Sequence, residues 1–362
     1  SMKKLSLTLI LFTLLTACSK EIAKSNYTDV IPKNATEVLI LDLNALISKV
    51  GLQASELQQA KELLWGVLLE NGNGTINQKI NSILDNPATS GIDASAPIYL
   101  FEAPSLHTIA LTLKVSDYTL LDEFIHALSN DGHCSKPTAS GNHMRATIKG
   151  VGLELAYNDG TLLMVYHANQ SELQRLSPAI DQLMAQPNEN SIVHTEHFKQ
   201  TTQIKGDIKV LATPDSMPLE LRGVLSLPQG TQLVGAAMFE QGKLVALLKR
   251  ADFNGEVYIS AVPFRPKNNG ELQAALSAMM RGKPFHLELT SNELLTVSNL
   301  RVLMEYSPND PTTRQLYELV NKIDLLTLQG DNKLCVLTLD LNNKQQNALQ
   351  QLIAFVQTFA QL

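Results

Sequence analysis

Three cysteines, one tryptophan (Trp65) and few aromatic residues are spread over 362 residues. Those shortages exclude a good deal. A disulfide-stapled scaffold needs many more cysteines. A sugar-binding platform built from flat exposed rings is poorly supplied. There is no basic run: 29 Lys and Arg face 35 Asp and Glu, a net charge of −6. A mildly acidic chain lacks the footprint of a nucleic-acid binder, so none is expected as a partner. After the first eighteen residues no uncharged stretch is long enough to span a bilayer. Motifs are missing as well. No Gly-x-x-x-x-Gly-Lys-Ser/Thr or Gly-x-Ser-x-Gly occurs, and neither Gly72-Asn73-Gly74 nor Gly150-Val151-Gly152 completes Gly-x-Gly-x-x-Gly. No cofactor is implied.

What is present begins with Met2-Lys3-Lys4, an uncharged run from Leu5 to Ala17, and Leu15-Thr16-Ala17-Cys18. A basic start, a short apolar run and small residues before a cut describe a secretory signal over 1–17. Its Leu-Thr-Ala-Cys ending resembles a bacterial lipoprotein signal, which implies that Cys18 becomes the acylated first residue of a membrane-anchored protein. Residues 18–26 are polar and aperiodic and read as a tether.

Composition supports two α+β halves, 27–187 and 188–362. In the first, Val38–Asn44 reads as a strand running into a helix. Residues 55–70 carry a helical stripe at Leu57, Ala60, Leu64, Val67 and Leu68. Strands are expected at 98–102, 108–115, 143–148, 151–157 and 161–167, with helices over 117–128 and 171–185. Asn158-Asp159-Gly160 marks a tight hairpin turn. Tight turns between strands imply antiparallel sheets with helices packed on one face.

The second half echoes the first. A shift of 173 residues carries Leu153, Leu155, Leu176 and Ile180 onto Leu326, Leu328, Leu349 and Ile353, and Asn169 onto Asn342. The same shift carries Asp42 onto Asp215. Val38–Asn44 also resembles Val336–Asn342. An internal duplication is the expectation, with a ligand cleft between the halves.

Tyr27–Leu52, with its Ile31-Pro32, a strand, and Lys49-Val50-Gly51-Leu52, resembles the start of an uncharacterised family of Bacteroidetes lipoproteins. Gly91-Ile92-Asp93 before Pro97–Phe101, Val115-Ser116-Asp117 opening a helix, and Phe239–Lys243 between two strands fit the same pattern. The resemblance implies an outer-membrane envelope location and an α+β architecture. It implies no activity and transfers no functional residues. In such an envelope, Ser19-Lys20-Glu21 resembles a surface-export signal, and Asp215-Ser216-Met217 an O-glycosylation site at Ser216; a solvated loop explains either.

Candidate chemistry is sparse. His194 and His197 stand three apart, which on a helix places both imidazoles on one face for a metal ion. A third ligand is not evident, and a polar surface turn explains the same residues. His133-Cys134 with His143 is a possible thiol–imidazole site, although nothing in the spacing brings them together. Asn71–Asn77 faintly resembles a calcium loop without its glycine and terminal acid. Asp42, Asp215 and Asp340 recur at strand ends, where an aspartate caps the next helix. Cys134 and Cys335 form a disulfide or are packed as inert thiols. The chain reads as a binding protein whose partner is a small molecule or another protein. The alternatives are an envelope hydrolase assembled by the fold and a structural subunit of a surface complex.

Overall fold

The computed structural model describes residues 21–51, 74–148, 150–216, 230–255 and 262–360, together with residues 55, 56, 59, 227 and 228. In chain order the strands are β1 (Glu37–Leu41), β2 (Ile98–Glu102), β3 (Ile109–Lys114), β4 (Thr138–Ser140), β5 (His143–Ile148), β6 (Leu153–Tyr157), β7 (Thr161–Tyr166), β8 (Ile208–Ala212), β9 (Leu233–Glu240), β10 (Lys243–Arg250), β11 (Phe285–Thr290), β12 (Ile323–Gly330) and β13 (Leu334–Leu341). The helices described are α1 (Leu43–Val50), α2 (Gly74–Asp85), α3 (Tyr118–Asn130), α4 (Gln170–Met184), α5 (Glu196–Gln203), α6 (Asn269–Met280), α7 (Ser291–Val297), α8 (Leu300–Tyr306), α9 (Pro311–Asn321) and α10 (Ala348–Ala360). The protein is α+β with antiparallel strand pairing. The helical stripe expected over 55–70, with Trp65, lies almost entirely outside the described residues, as do Asn71–Asn73 of the calcium-like loop. Residues 74–77 of that loop open α2.

The chain forms two compact units. Unit 1 comprises the described parts of Ser1–Pro32, Ala60–Ala94 and Ser105–Ser191; unit 2 comprises those of Lys33–Gln59, Ser95–Pro104 and Ile192–Leu362. The division differs from the expected halves 27–187 and 188–362: β1, α1 and β2 group with the second unit, and residues 188–191 with the first. The reason is strand pairing. β1 lies between β8 and β2, with Val38 opposite Leu211 on one side and Phe101 on the other.

In unit 1 the strand order is β3-β7-β6-β5-β4. Leu155 and Tyr157 of β6 point to one side, Glu154 and Ala156 to the other, and all four are buried. A strand whose alternate residues are all buried is covered on both faces. Helices α2 and α3 cover the Leu155–Tyr157 face through Ile76, Ile80, Leu121 and Phe124. Helix α4 covers the other, burying Leu176 and Ile180, so in this unit the helices do not keep to one face.

The segment 18–26, expected to be a tether, is docked over its last residues. The amide of Ala23 donates to Asn142 O (2.9 Å), Ser25 N to Asp159 O (3.0 Å) and Asp159 N to Ala23 O (3.0 Å). Gly160 permits this approach: at φ +127° it takes a left-handed conformation, and a Cβ there would lie 1.9 Å from Ser25 O. Paired backbone carries no side-chain periodicity, which is why the segment reads as a tether in sequence.

In unit 2 the order is β11-β12-β13-β10-β9-β8-β1-β2. Phe239, Ile323, Leu341 and Ala348 form one core cluster, and Leu287, Leu289 and Val297 another. Strand, strand and helix follow in the same order at β6-β7-α4 and β12-β13-α10. The match stops at order. β6 has five residues and β12 eight, and Asn169 caps α4 directly, accepting from Glu172 N at 2.9 Å. Asn342 instead donates to Asn321 O, and α10 opens only at Ala348. The fold does not establish a duplication.

Candidate functional site

The most distinctive feature of unit 1 is a void between α3 and the sheet. Helix α3 starts where Asp117 accepts the Leu120 amide (3.0 Å), after a turn in which Gly91 O receives the amides of Ser116 (2.8 Å) and Asp117 (3.1 Å). Gly91 has φ +82°, and a Cβ would meet Asp117 O at 2.3 Å, so glycine is required. Leu121, Phe124, Ile125 and Leu128, spaced as one helical face, are all buried. The helix ends in a paired carbonyl cap. Gly132 (φ +82°) donates to Ser129 O (3.0 Å) and His133 to Leu128 O (2.9 Å), which folds His133 back beneath the helix.

These side chains, with Leu155, Leu162 and Met164 of the sheet, enclose a cavity of about 140 Å³. Its wall is apolar except for His133, whose Nε2 is 2.5 Å from Asp131 Oδ2. Beside it Tyr157 donates to Asp122 Oδ1 (2.7 Å), and burial together with that carboxylate pushes the phenol far above its ordinary range. Tyr157 is therefore a fixed donor and not an acid or base at neutral pH. An apolar space of roughly 150 Å³ stays dry and admits a benzene-sized guest.

The opposite face of the sheet carries a buried ionic cluster. Arg145 on β5 donates through Nε to Glu154 Oε1 (2.9 Å) and through Nη1 to Asp181 Oδ1 (2.8 Å). Thr147 Oγ1 reaches Glu154 Oε2 (2.5 Å), Ser140 Oγ reaches Asp181 Oδ2 (3.1 Å), and His143 Nε2 lies 2.8 Å from Asp181 Oδ1. Burial lowers the His143 pKa below 6.5 against the pull of Asp181. Burial alone would raise Asp181, but hydrogen bonds from His143 and Arg145 hold it below 3.8. Every charge in the cluster faces an opposite one, so it clamps α4 to the sheet and offers no open position. Arg145, Glu154 and Asp181 escape a motif search. Charged residues at inward strand positions 145 and 154 are the one local sign of them.

The residues singled out in the sequence are placed as follows. Cys18 lies outside the described residues. Asp42 caps α1, accepting from Ala45 N at 3.0 Å. Asp215 is exposed inside the short turn Pro214–Ser216 and does not stand at a strand end. Asp340 is corrected: it lies within β13 opposite Lys243, eight residues before α10, whose first turn is met instead by Asn347 Oδ1 accepting from Leu349 N (2.9 Å). The strand continues through Leu341, so no helix amide reaches Asp340. Ser216 Oγ donates to Thr213 O (2.7 Å), and Met217 is outside the described residues.

His194 closes a short turn, and His197 lies in the first turn of α5, where burial lowers its pKa. His197 borders a recess of about 390 Å³ with Glu196, Arg250 and Asp252. Those charges are paired, Arg250 with Asp252 (2.9 Å) and Glu196 with Lys199 (2.8 Å). Among the described residues no three His, Cys, Asp or Glu side chains gather as a metal site. Cys134 and Cys335 are not joined in a disulfide. Cys134 packs in the α3 core with Sγ 3.5 Å from Ile125 O, whereas His143 faces the ionic cluster, so the thiol and that imidazole are on opposite faces. Gly150 and Gly152 form the turn between β5 and β6.

No curated protein matches the chain. Solved structures similar to it include crystal form III of TP0453, with 10% identity over 92% of this chain and 98% of that one at a TM-score of 0.37. Crystal form I of the same protein gives 9% identity, 92% and 97% coverage, and the same TM-score. The family model described as a domain of unknown function, DUF4836, matches residues 27–249. That match takes in more than half of the sequence, and the chain belongs to this family.

Proposed function

We propose that this is a membrane-anchored envelope lipoprotein of a Bacteroidetes-type cell, held through Cys18, that acts by binding and not by catalysis. Its ligand is a small apolar molecule of about one aromatic ring in size, taken up by the cavity under α3. The almost wholly apolar lining of that cavity carries the reading. A molecule with one polar atom meets His133 as the polar group on the wall. The hydrolase alternative rests on His197, and the ion pairs around its recess leave no converging set of acid, base and nucleophile.

The test is titration of the full chain with benzene, indole and hexanoate, followed by calorimetry and by thermal unfolding. A ligand at a hundred times its Kd stabilises the native state by about 2.7 kcal/mol. Leu128→Phe, which fills the space from α3, should abolish the gain while leaving the far-UV spectrum intact. Saturable binding that survives Leu128→Phe, or its absence for every compound, refutes the cavity as the site. An ester or amide hydrolysis that is lost in His197→Ala refutes the binding reading altogether.

A further inference from the structure

The docked segment next to Cys18 gives unit 1 an orientation. Ala23–Asn26 is not simply near the β6–β7 turn; it is bonded there on both sides. Ser25 Oγ adds contacts to Asn158 Oδ1 (3.1 Å) and Thr161 Oγ1 (2.7 Å). The chain then stays fixed as it crosses the sheet. Thr112 Oγ1 donates to Tyr27 O (2.7 Å), Ser191 Oγ to Thr28 O (2.8 Å), and Gln186 and Asn188 hold Asp29 at 2.7 Å each. Between Ala23 and Cys18 there are five residue steps, which reach at most about 18 Å at roughly 3.5 Å each.

We infer that the end of unit 1 formed by the β4–β5 turn (Gly141-Asn142) and the β6–β7 turn (Asn158–Gly160) faces the bilayer, resting on the reading that Cys18 is acylated. Lys24, Asp159 and the Lys114–Asp93 pair (3.5 Å) make that end polar and of mixed charge, suited to the headgroup layer and not to insertion. The competing orientation puts the opposite end down. That end carries the exposed Ile109 (59%) and Tyr166 (50%), joined by Thr108 Oγ1 to Tyr166 O (3.2 Å), and the Gly150–Gly152 turn. Apolar exposure alone would favour it. The leash opposes it: β5 alone separates the two ends by about 17 Å at roughly 3.3 Å per residue, so a leash of about 18 Å has to be drawn out almost completely to allow it.

The experiment uses the full chain, acylated during expression and reconstituted in vesicles of phosphatidylethanolamine and phosphatidylglycerol containing a headgroup-labelled energy acceptor. Donor dyes are attached through Asn142→Cys or Gly150→Cys in a Cys134→Ala, Cys335→Ala background. Both positions are exposed, and a side chain at Gly150 meets nothing within 4 Å. Positions 142 and 150 are eight residues apart along β5 and its turn, at most about 26 Å at roughly 3.3 Å each, and transfer from 142 should exceed transfer from 150 by the amount that this extra distance gives. Inserting about twenty Gly/Ser residues after Ile22 frees the leash without touching the fold, and the difference should collapse. Mass spectrometry of the same sample reports the state of Cys18. An acylated chain with equal or reversed transfer overturns the orientation alone. An unmodified Cys18 overturns the anchoring reading and the orientation with it.

Discussion

Arg145→Ala should be among the most damaging single substitutions in unit 1. The Arg145 side chain is 10% exposed and is shared between two carboxylates of different character. The side chain of Glu154 is 6% exposed, and without Arg145 its remaining donor is the Thr147 hydroxyl. A buried carboxylate left without its cation costs about 3–5 kcal/mol. The Asp181 arm is worth far less, since that side chain is 38% exposed and water replaces the lost partner; an exposed pair contributes about 1 kcal/mol or less. Nearly all of the loss is thus assigned to Glu154. Removing that carboxylate as well should recover most of it, and Arg145→Met with Glu154→Leu should fall within about 1 kcal/mol of the parent, because a buried ion pair replaced by apolar side chains is often neutral. The two sites should therefore couple by about 2–3 kcal/mol in a double-mutant cycle. Urea unfolding followed by far-UV circular dichroism measures each member of the cycle. A loss below about 1 kcal/mol for Arg145→Ala, or additive effects in the double variant, would mean that the pair is solvated and the clamp does not exist.

Stability should fall on acidification in two stages. His143 has a folded pKa below 6.5, so the unfolded chain takes up more protons and stability drops as pH falls from about 6.5. Asp181 is held below 3.8, and its contribution, present above that value, is lost as pH falls through it. In His143→Phe the urea midpoint should lose part of its slope between about pH 7 and 5, the rest coming from the buried His197, and keep the slope below pH 4; an unchanged upper slope would remove His143 from the account. Asp42→Ala should lower unfolding stability by about 1 kcal/mol through the lost cap of α1. Asp340→Asn should change it by about 0.5 kcal/mol or less, since no helix amide depends on that side chain. Equal thermal shifts for the two variants would contradict their different placement.

Local regularity made much of this protein readable from sequence. The helix expected over 117–128, the strands at 98–102 and 143–148 and the Asn158-Asp159-Gly160 turn each depend on neighbours a few residues away, and each is found within a residue or two of its expected place. β4 was not foreseen, because three residues inside a polar loop carry no alternation to detect. Asp42 was legible as a cap for the same local reason. Asp340 looked equivalent, but whether a strand ends at a residue depends on the partner strand, and β10 keeps β13 paired past it.

The candidate site was only half legible. The helix that becomes α3 was expected over 117–128, but a cavity is the volume left after helix and sheet have packed, and no single side chain encodes it.

Sequence by itself determined composition, charge, the signal-like start ending at Cys18 and the run of local elements, because those depend on chain neighbours. Tertiary structure alone decided four things: that β1 pairs with β8 across some 170 residues, that Arg145 finds Asp181, that Ala23–Asn26 docks on a hairpin, and that α3 roofs an apolar cavity. Each is a meeting of groups far apart in the chain, settled by which surfaces must leave water together and which buried polar groups must find a partner.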